Sequence, residues 1–398
     1  EAGALGDGGD GVEGLARALG VSARHLHRVV ESAYGVSPLA LAQTRRLLLA
    51  KQLLTDTSLK VIDVAFASGF GSVRQFNRQF RGSYRLNPLA LRQRARVDVA
   101  ACEGVTLKLG FRPPLAWNAL TAFLVGRAGT RTERLDGDRY LRTVRLGKHR
   151  GWIAARPLTD ALLAVEISPS LLPVLPELRA RLRRLFDLEA NPGIIDGHLS
   201  QQRDLGALLR RTSGLRLPGA LSGFEVALRA VLGQQVTVKA ATTLYDRFVV
   251  TFGARVETPV PELNAAAPDA NDVANATLQQ VIDRGLTTKR AEAVRALARA
   301  VADGVVLLEP PVVDFVAVRA ALRELPGIGP WTAEYVAMRA LGDPDAFPSS
   351  DSGLLRALAL GKPAALLTRA DAWRPWRAYA ALHLWHGLAQ SARAETGG

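Results

Sequence analysis

Leu325-Pro326-Gly327-Ile328-Gly329-Pro330-Trp331-Thr332-Ala333, followed twenty residues after Trp331 by Asp351 in Phe347-Pro348-Ser349-Ser350-Asp351-Ser352, is the stretch on which the fold turns. Two glycines spaced by Ile328 allow a tight hairpin with positive φ, and Ile328 can plug the core beneath it. The hairpin amides, together with the N-terminus of the helix opening near Trp331, then face outward and suit a phosphate oxygen, and the hairpin carbonyls are available to a monovalent cation, Na+ or K+. Leu325, Gly327, Ile328, Gly329 and Thr332 are therefore the expected phosphate-hairpin residues. Asp351 stands just before a helix from Ser352, so it reads both as an N-cap, where negative charge is favoured, and as a catalytic carboxylate. Asp343 and Asp345, earlier in the same loop, are the alternative carboxylates.

Working outward, 398 residues predict two to four domains, and 48% hydrophobic with 22% charged residues is a composition that buries real cores. The formal charge of +14, from 51 Lys and Arg against 37 Asp and Glu, points to a polyanionic partner, with nucleic acid first and an anionic membrane surface second. No apolar run approaches the roughly 18 uncharged residues of a membrane helix, and no basic-then-apolar leader opens the chain, which predicts a cytoplasmic protein without a membrane partner. Cys102, the one cysteine, excludes an internal disulfide and any cysteine-rich zinc site. Glu1 stands where an initiator methionine is expected, so further residues are expected upstream.

The charge is concentrated. Residues 17–96 hold fourteen Lys or Arg against three acids. Their pattern predicts a short helix over 14–19, a turn at Gly20-Val21, and a helix over 23–32 that Ser22 caps. A long helix follows over 39–54, and then the unit recurs, with a helix over 61–67, a turn at 68–71, and a helix from Ser72 to Phe80. Superposing Ser22 on Ser72 brings Leu26 onto Phe76, Arg28 onto Arg78 and Val30 onto Phe80, an internal repeat of about 50 residues. This pair of helix-turn-helix units resembles the DNA-binding domain of AraC/XylS-type regulators. The resemblance places Arg24, His25, Arg28, Arg74, Gln75 and Arg78 on two recognition helices, positioned for base edges or phosphates.

After residue 97 the texture changes. Strands are expected over 105–109, 139–146, 152–157 and 162–167, a small α+β module. Helices are expected over 201–215, 224–232, 237–251, 287–303, 314–325, 331–341, 352–360 and 374–390, with 259–278 the loosest connector.

The string Leu325 to Asp351 resembles the helix-hairpin-helix, Gly/Pro-loop and Asp motif of base-excision DNA glycosylases, and is most similar to the AlkA-type branch of 3-methyladenine DNA glycosylase II. Bifunctional members of that superfamily carry a Schiff-base lysine just after the hairpin. This chain has Trp331 there, which implies a monofunctional hydrolase without lyase activity. The resemblance makes Trp331, Tyr335 and Trp385 the walls of a base pocket, Gln234 its rim, and Gln235 the wedge that fills the gap left by an extruded base, with Lys239 nearby as a phosphate contact. Gln235 departs from the branch, which has Leu there, and a glutamine can hydrogen-bond the orphaned partner base. Cationic alkylpurines suit aromatic faces, each cation–π contact contributing on the order of 0.5–2 kcal/mol.

The domain order resembles bacterial fusions of the adaptive-response regulator to this glycosylase, without their four-cysteine methyl-acceptor domain. The expected fold class is multi-domain and mainly α. A double helix-turn-helix occupies 1–98, a small TBP-like α+β module 99–198, and an all-α helix-hairpin-helix glycosylase domain 199–398. The resemblance implies a monomeric, cytoplasmic, nucleoid-associated enzyme that removes alkylated purines from double-stranded DNA, and promoter DNA is a further expected partner. The competing expectation is a transcription regulator whose second half is a non-catalytic damage sensor.

Overall fold

The computed structural model describes residues 11–57, 59–95, 105–309 and 314–396. Glu1, Cys102 and the expected boundary at 98/99 lie outside them. The chain divides into two compact units, Glu1–Lys108 with Arg145–Ala155 and Ala164–Arg181, and Leu109–Val144 with Arg156–Leu163 and Leu182–Gly398.

The first unit opens with α1 (Gly11–Ala18), α2 (Ala23–Tyr34), α3 (Pro38–Asp56), α4 (Val61–Ala67), α5 (Val73–Tyr84) and α6 (Pro88–Ala95). The repeat is written in its caps. The Ser22 hydroxyl accepts from the His25 amide and the Ser72 hydroxyl from the Gln75 amide, both at 3.2 Å, which starts α2 and α5 at equivalent points. The second helix-turn-helix is held by rings where the first uses aliphatics. Phe70, Phe76, Phe80 and Tyr84 form a ladder with centroid spacings of 5.2, 5.3 and 4.7 Å.

Next come β1 (Val105–Gly110), α7 (Trp117–Val125), β2 (Glu133–Asp136), β3 (Arg139–Leu146), β4 (His149–Thr159) and β5 (Leu162–Ile167). A 3-10 turn over Pro169–Val174 leads into α8 (Leu175–Leu185) and α9 (Pro192–Leu199). The five strands form one sheet in the order β1-β5-β4-β3-β2. β2 and β3 run antiparallel, with Glu133 directly opposite Arg142. α7 is not among the expected elements, although Trp117, Leu120, Thr121 and Leu124 are buried at helical spacing.

The helical region comprises α10 (Gly206–Arg211), α11 (Gly223–Leu232), α12 (Val238–Phe252), a short pairing of β6 (Ala254–Arg255) with β7 (Ala265–Ala266), α13 (Ala270–Ala274), α14 (Leu278–Ile282), α15 (Thr288–Ala302), α16 (Phe315–Arg323), α17 (Pro330–Val336), α18 (Ser352–Ala357), α19 (Pro363–Ala370) and α20 (Arg377–Thr396). α11 is buried along most of its length and packs on α15 and α17, so it is the core's axis.

Three expectations are corrected here. The helix expected over 201–215 shrinks to α10, because residues 201–205 form turns in which the Leu205 and Gly206 amides both donate to the Gln202 carbonyl at 3.0 Å, Asp204 pairs with Arg369, and Thr212 leaves helical geometry. The connector 259–278 holds α13, which starts at a capping box between Asp269 and Asp272, and a second box between Thr277 and Gln280 starts α14. The helix expected over 331–341 ends as α17 at Val336, and residues 337–341 form a π-helical turn.

His383 on α20 is buried, and neither ring nitrogen has a hydrogen-bond partner among the described residues. Burial pushes its pKa down to about 4, with Asp196 opposing and His386 adding to the shift. The folded value lies below the unfolded value of about 6.5, so this group costs stability as pH falls below 6.5, approaching about 3 kcal/mol near pH 4. His383→Leu should leave the thermal midpoint at pH 7.5 nearly unchanged and raise it relative to the parent at pH 4.5. Parallel melting curves for the two proteins across that range would rule the assignment out.

Candidate active site

Asp314 caps α16, and the chain then turns back through the hairpin into α17. Gly327 has φ +75, and a Cβ there would meet the Ala293 Cβ at 2.8 Å, so both conformation and space demand glycine. Ile328 is buried beneath the turn. Gly329, by contrast, has ordinary extended backbone at φ −87, and a Cβ would meet nothing within 4 Å, which corrects the expectation of two left-handed glycines. Its use is open space in front of the first-turn amides of α17, which precede the bond from the Ala333 amide to the Gly329 carbonyl at 3.1 Å. Thr332, expected among the phosphate contacts, is buried, and its hydroxyl accepts from Gln234 Nε2 at 3.0 Å. The Gly327 carbonyl accepts from the same Nε2 at 2.9 Å and the Leu325 carbonyl from the Ile328 amide at 3.2 Å. Each keeps a second lone pair that Na+ or K+ could take.

Asp351 caps α18. Its Oδ1 accepts from the Leu354 amide at 2.9 Å and from Trp385 Nε1 at 3.0 Å, while Oδ2 accepts from Trp331 Nε1 at 2.9 Å. The cap and the candidate catalytic carboxylate are the same group. Gly353 permits this, because a Cβ there would lie 2.9 Å from Asp351 Oδ1 and 3.5 Å from the Trp385 ring. The loop that delivers Asp351 is pinned at several points. Asp343 pairs with Arg319, Arg377 Nε donates to Asp345 Oδ1 at 2.8 Å, and the Phe347 amide donates to Glu334 at 3.0 Å. Asp343 and Asp345 are thus paired with arginines, whereas Asp351 takes its hydrogen bonds from neutral N–H donors.

Trp331 and Tyr335 lie one helical turn apart on α17 and stack at 5.0 Å with an interplanar angle of 9°; Tyr335 and Trp385 stand 6.4 Å apart and tilted by 57°. A planar base inserted between two rings needs them about 7 Å apart, twice a van der Waals contact. The Trp331–Tyr335 stack is therefore closed to an inserted planar ring.

Behind these rings the sequence reading missed three residues. Arg339, set by the π turn, donates to the Tyr335 hydroxyl at 3.0 Å, to the Gly219 carbonyl at 3.2 Å and to the Pro218 carbonyl. Phe123 of α7 carries the Arg127 guanidinium 3.9 Å from its centroid and that of Arg339 at 4.9 Å. Burial would raise the Tyr335 pKa, but the charges of Arg339, Arg127 and Arg229 outweigh it and hold the phenol below its ordinary value. Desolvation lowers the Arg127 pKa. Phe123, Arg127 and Trp385 also wall a cavity of about 220 Å³ between α7 and α20. The helical spacing of α7 was the available signal for Phe123. Nothing local marks Arg127 or Arg339.

The turn between α11 and α12 presents Gln235, Val236, Val238 and Lys239 to solvent. Gln234, expected at the pocket rim, instead reaches the hairpin. α11 itself is fixed by a buried charge network in which Arg142 pairs with Glu133 at 3.0 Å and with Glu225, and Arg229 pairs with Glu133 at 3.3 Å and Glu225 at 3.4 Å. Burial would raise the Glu225 pKa, but Arg142 and Arg229 hold it below its ordinary value.

In the first unit, Arg24, His25 and Arg28 are exposed on α2 and Arg74 and Arg78 on α5, while Gln75 is half-buried. His25 Nδ1 and Arg28 Nη2 lie 3.0 Å apart, and Arg74, Asn77, Arg78 and Arg81 line one open basic recess.

Three family models match the chain: AlkA N-terminal domain over 106–222, helix-turn-helix domain over 15–94, and HhH-GPD superfamily base excision DNA repair protein over 228–373. A Mycobacterium tuberculosis protein named probable bifunctional transcriptional activator/DNA repair enzyme AlkA is 39% identical over 390 residues, covering 95% of this chain and 77% of its own. DNA-3-methyladenine glycosylase 2 of Escherichia coli is 36% identical over 279 residues, covering 70% of this chain and 96% of its own. The solved 3-methyladenine DNA-glycosylase of Archaeoglobus fulgidus shares the fold at a TM-score of 0.60 and 20% identity, covering 70% of this chain and 97% of its own.

Gly353→Ala should push the Asp351 carboxylate off the two indoles. The readout is the set of indole N–H resonances from the six tryptophans, of which two should move upfield; an unchanged spectrum would mean that the close approach is not required.

Proposed function

Because the chain belongs to the AlkA family of DNA-3-methyladenine glycosylases, within the HhH-GPD superfamily of base-excision repair proteins, we propose that it hydrolyses the N-glycosidic bond of alkylated purines of the 3-methyladenine and 7-methylguanine type in duplex DNA. The observation that carries this reading is Asp351 held by Trp331 and Trp385, a carboxylate and an aromatic wall oriented by the same two bonds. Alkylation at N3 or N7 makes the purine cationic and weakens its bond to C1′. The base departs with the bonding electron pair and becomes neutral, so no general acid is needed. Positive charge then appears on the sugar oxocarbenium ion, which Asp351 faces. Water adds to C1′ and its proton passes to Asp351 or to solvent. A preorganised charge of this kind supplies about 3–4 kcal/mol of transition-state stabilisation.

Arg127 and Arg339 modify the picture of a simple cation-selective pocket. Their positive charge behind Phe123 and Tyr335 opposes a cationic base and favours the arrival of the electron pair on it, so discrimination does not rest on cation–π contacts alone. Trp331 offers no amine, and an imine-based lyase step has no nucleophile there.

The hairpin holds a phosphate through its outward amides, and a monovalent cation on the Leu325 and Gly327 carbonyls would add positive charge beside it. Gln235 fills the gap left by the extruded base. The two recognition helices are a second DNA-binding module, which adds affinity and, as an AraC-type regulator would, promoter binding. We divide the chain accordingly into modules 1–98, 99–198 and 199–398, acting as a monomer on nucleoid DNA in a bacterial cytoplasm. A non-catalytic sensor would have no use for a carboxylate so fully oriented.

Asp351→Asn should abolish release of 7-methylguanine and 3-methyladenine from methylated DNA while leaving duplex affinity within about threefold. Persistent release would remove the catalytic assignment, and a borohydride-trapped enzyme–DNA adduct in the parent protein would remove the monofunctional one. Replacing Arg74 and Arg78 together with alanine should lower the slope of log K against log salt by about two, if both reach phosphates.

A further inference from the structure

Gln235 has φ +56 at the exposed tip of the turn between α11 and α12. A residue with a side chain stays in this left-handed region only where its neighbours hold it there. The holding is done on Gln234. Its backbone carbonyl, just beyond the C-terminus of α11, accepts from Arg290 Nη2 at 2.7 Å. Its side-chain Nε2 donates to the Gly327 carbonyl at 2.9 Å and to Thr332 Oγ1 at 3.0 Å. Arg290 stands in the first turn of α15, capped by Thr287, where the helix dipole disfavours a cation. Its reach to a carbonyl at the negative end of α11 accounts for that placement. The wedge turn, the phosphate hairpin and the start of α15 thus meet at one glutamine.

We propose that Arg290 is a positioning residue which, through Gln234, locks the wedge turn onto the phosphate hairpin. The strand gripped at Gly327–Gly329 and the stack entered by Gln235 are then kept in one register. This rests on the base-flipping reading of the site. A base swung out of the duplex returns unless the gap is filled while the backbone is held, so a wedge uncoupled from the hairpin fails on paired DNA. On single-stranded DNA there is no gap to fill, and the coupling is without effect.

The test uses the whole chain and an oligonucleotide carrying 7-methylguanine with 2-aminopurine as its 3′ neighbour, as duplex and as single strand. Arg290→Met should slow release from the duplex about ten- to a hundredfold, the equivalent of one charge-assisted hydrogen bond. It should reduce the 2-aminopurine fluorescence rise and leave the single-strand rate within about twofold. Gln234→Leu should slow duplex release similarly, and the double variant should be no slower than Gln234→Leu alone. Arg290→Lys, which keeps a cationic donor on a shorter side chain, should recover part of the loss. Equal losses on duplex and single strand, an unchanged duplex rate, or a salt slope reduced by about one, the mark of a direct phosphate contact, would each overturn the proposal. A parent protein that released no base would remove the glycosylase reading, while the fluorescence rise would still decide the clamp.

Discussion

The carboxylate of Asp351 takes three N–H donors, from the Leu354 amide and the indoles of Trp331 and Trp385, and the geometry of the site depends on that arrangement. Indole N–H groups removed from water need an acceptor. Here two tryptophans from separate helices find the same one, so the orientation of the aromatic wall and the orientation of the carboxylate are a single constraint. With each charge-assisted bond contributing about 1.5–3 kcal/mol, α17, α18 and α20 are joined at this one carboxylate. The loop before Asp351 is anchored independently by Asp343, Asp345 and Glu334.

Charge is distributed in two ways around this point. Under α11, Arg142 and Arg229 are matched by Glu133 and Glu225, a neutral buried network whose stake is position: removing one partner leaves an uncompensated charge. Behind Tyr335, Arg127 and Arg339 pair with no carboxylate among the described residues; both rest on the Phe123 ring, and Arg339 also donates to backbone carbonyls. The first arrangement serves the fold. The second leaves positive charge behind Tyr335, which lowers the pKa of its phenol.

Much of this was legible because the residues concerned act locally. Ser22 and Ser72 cap helices by bonding three residues ahead, so the repeat could be read from spacing alone. Asp351 before Ser352 was readable as a cap for the same reason. The failures have equally specific causes. The helix expected from Gln201 starts only at Gly206, because the Gln202 carbonyl closes a tight turn with the Leu205 amide and Asp204 pairs with Arg369 far along the chain. The capping boxes at Asp269 and Thr277 were written in the sequence but hidden by a composition that looks like linker. Thr332 faces inward because Gln234, nearly a hundred residues earlier, needs an acceptor there.

By itself, then, the amino-acid sequence determined the helix-turn-helix repeat, the hairpin that needs Gly327, and the carboxylate placed behind it, since each depends on backbone preferences and hydrogen bonds spanning only a few residues. Only the tertiary structure decided that Asp343 and Asp345 pair with arginines, that Trp331 and Trp385 share the Asp351 carboxylate, that Phe123 and Arg127 stand beside Arg339, and that Arg290 reaches Gln234. Those outcomes depend on which side chains meet across long stretches of chain in a low-dielectric interior, where every buried charge and donor must find a partner, and neither periodicity nor spacing encodes that choice.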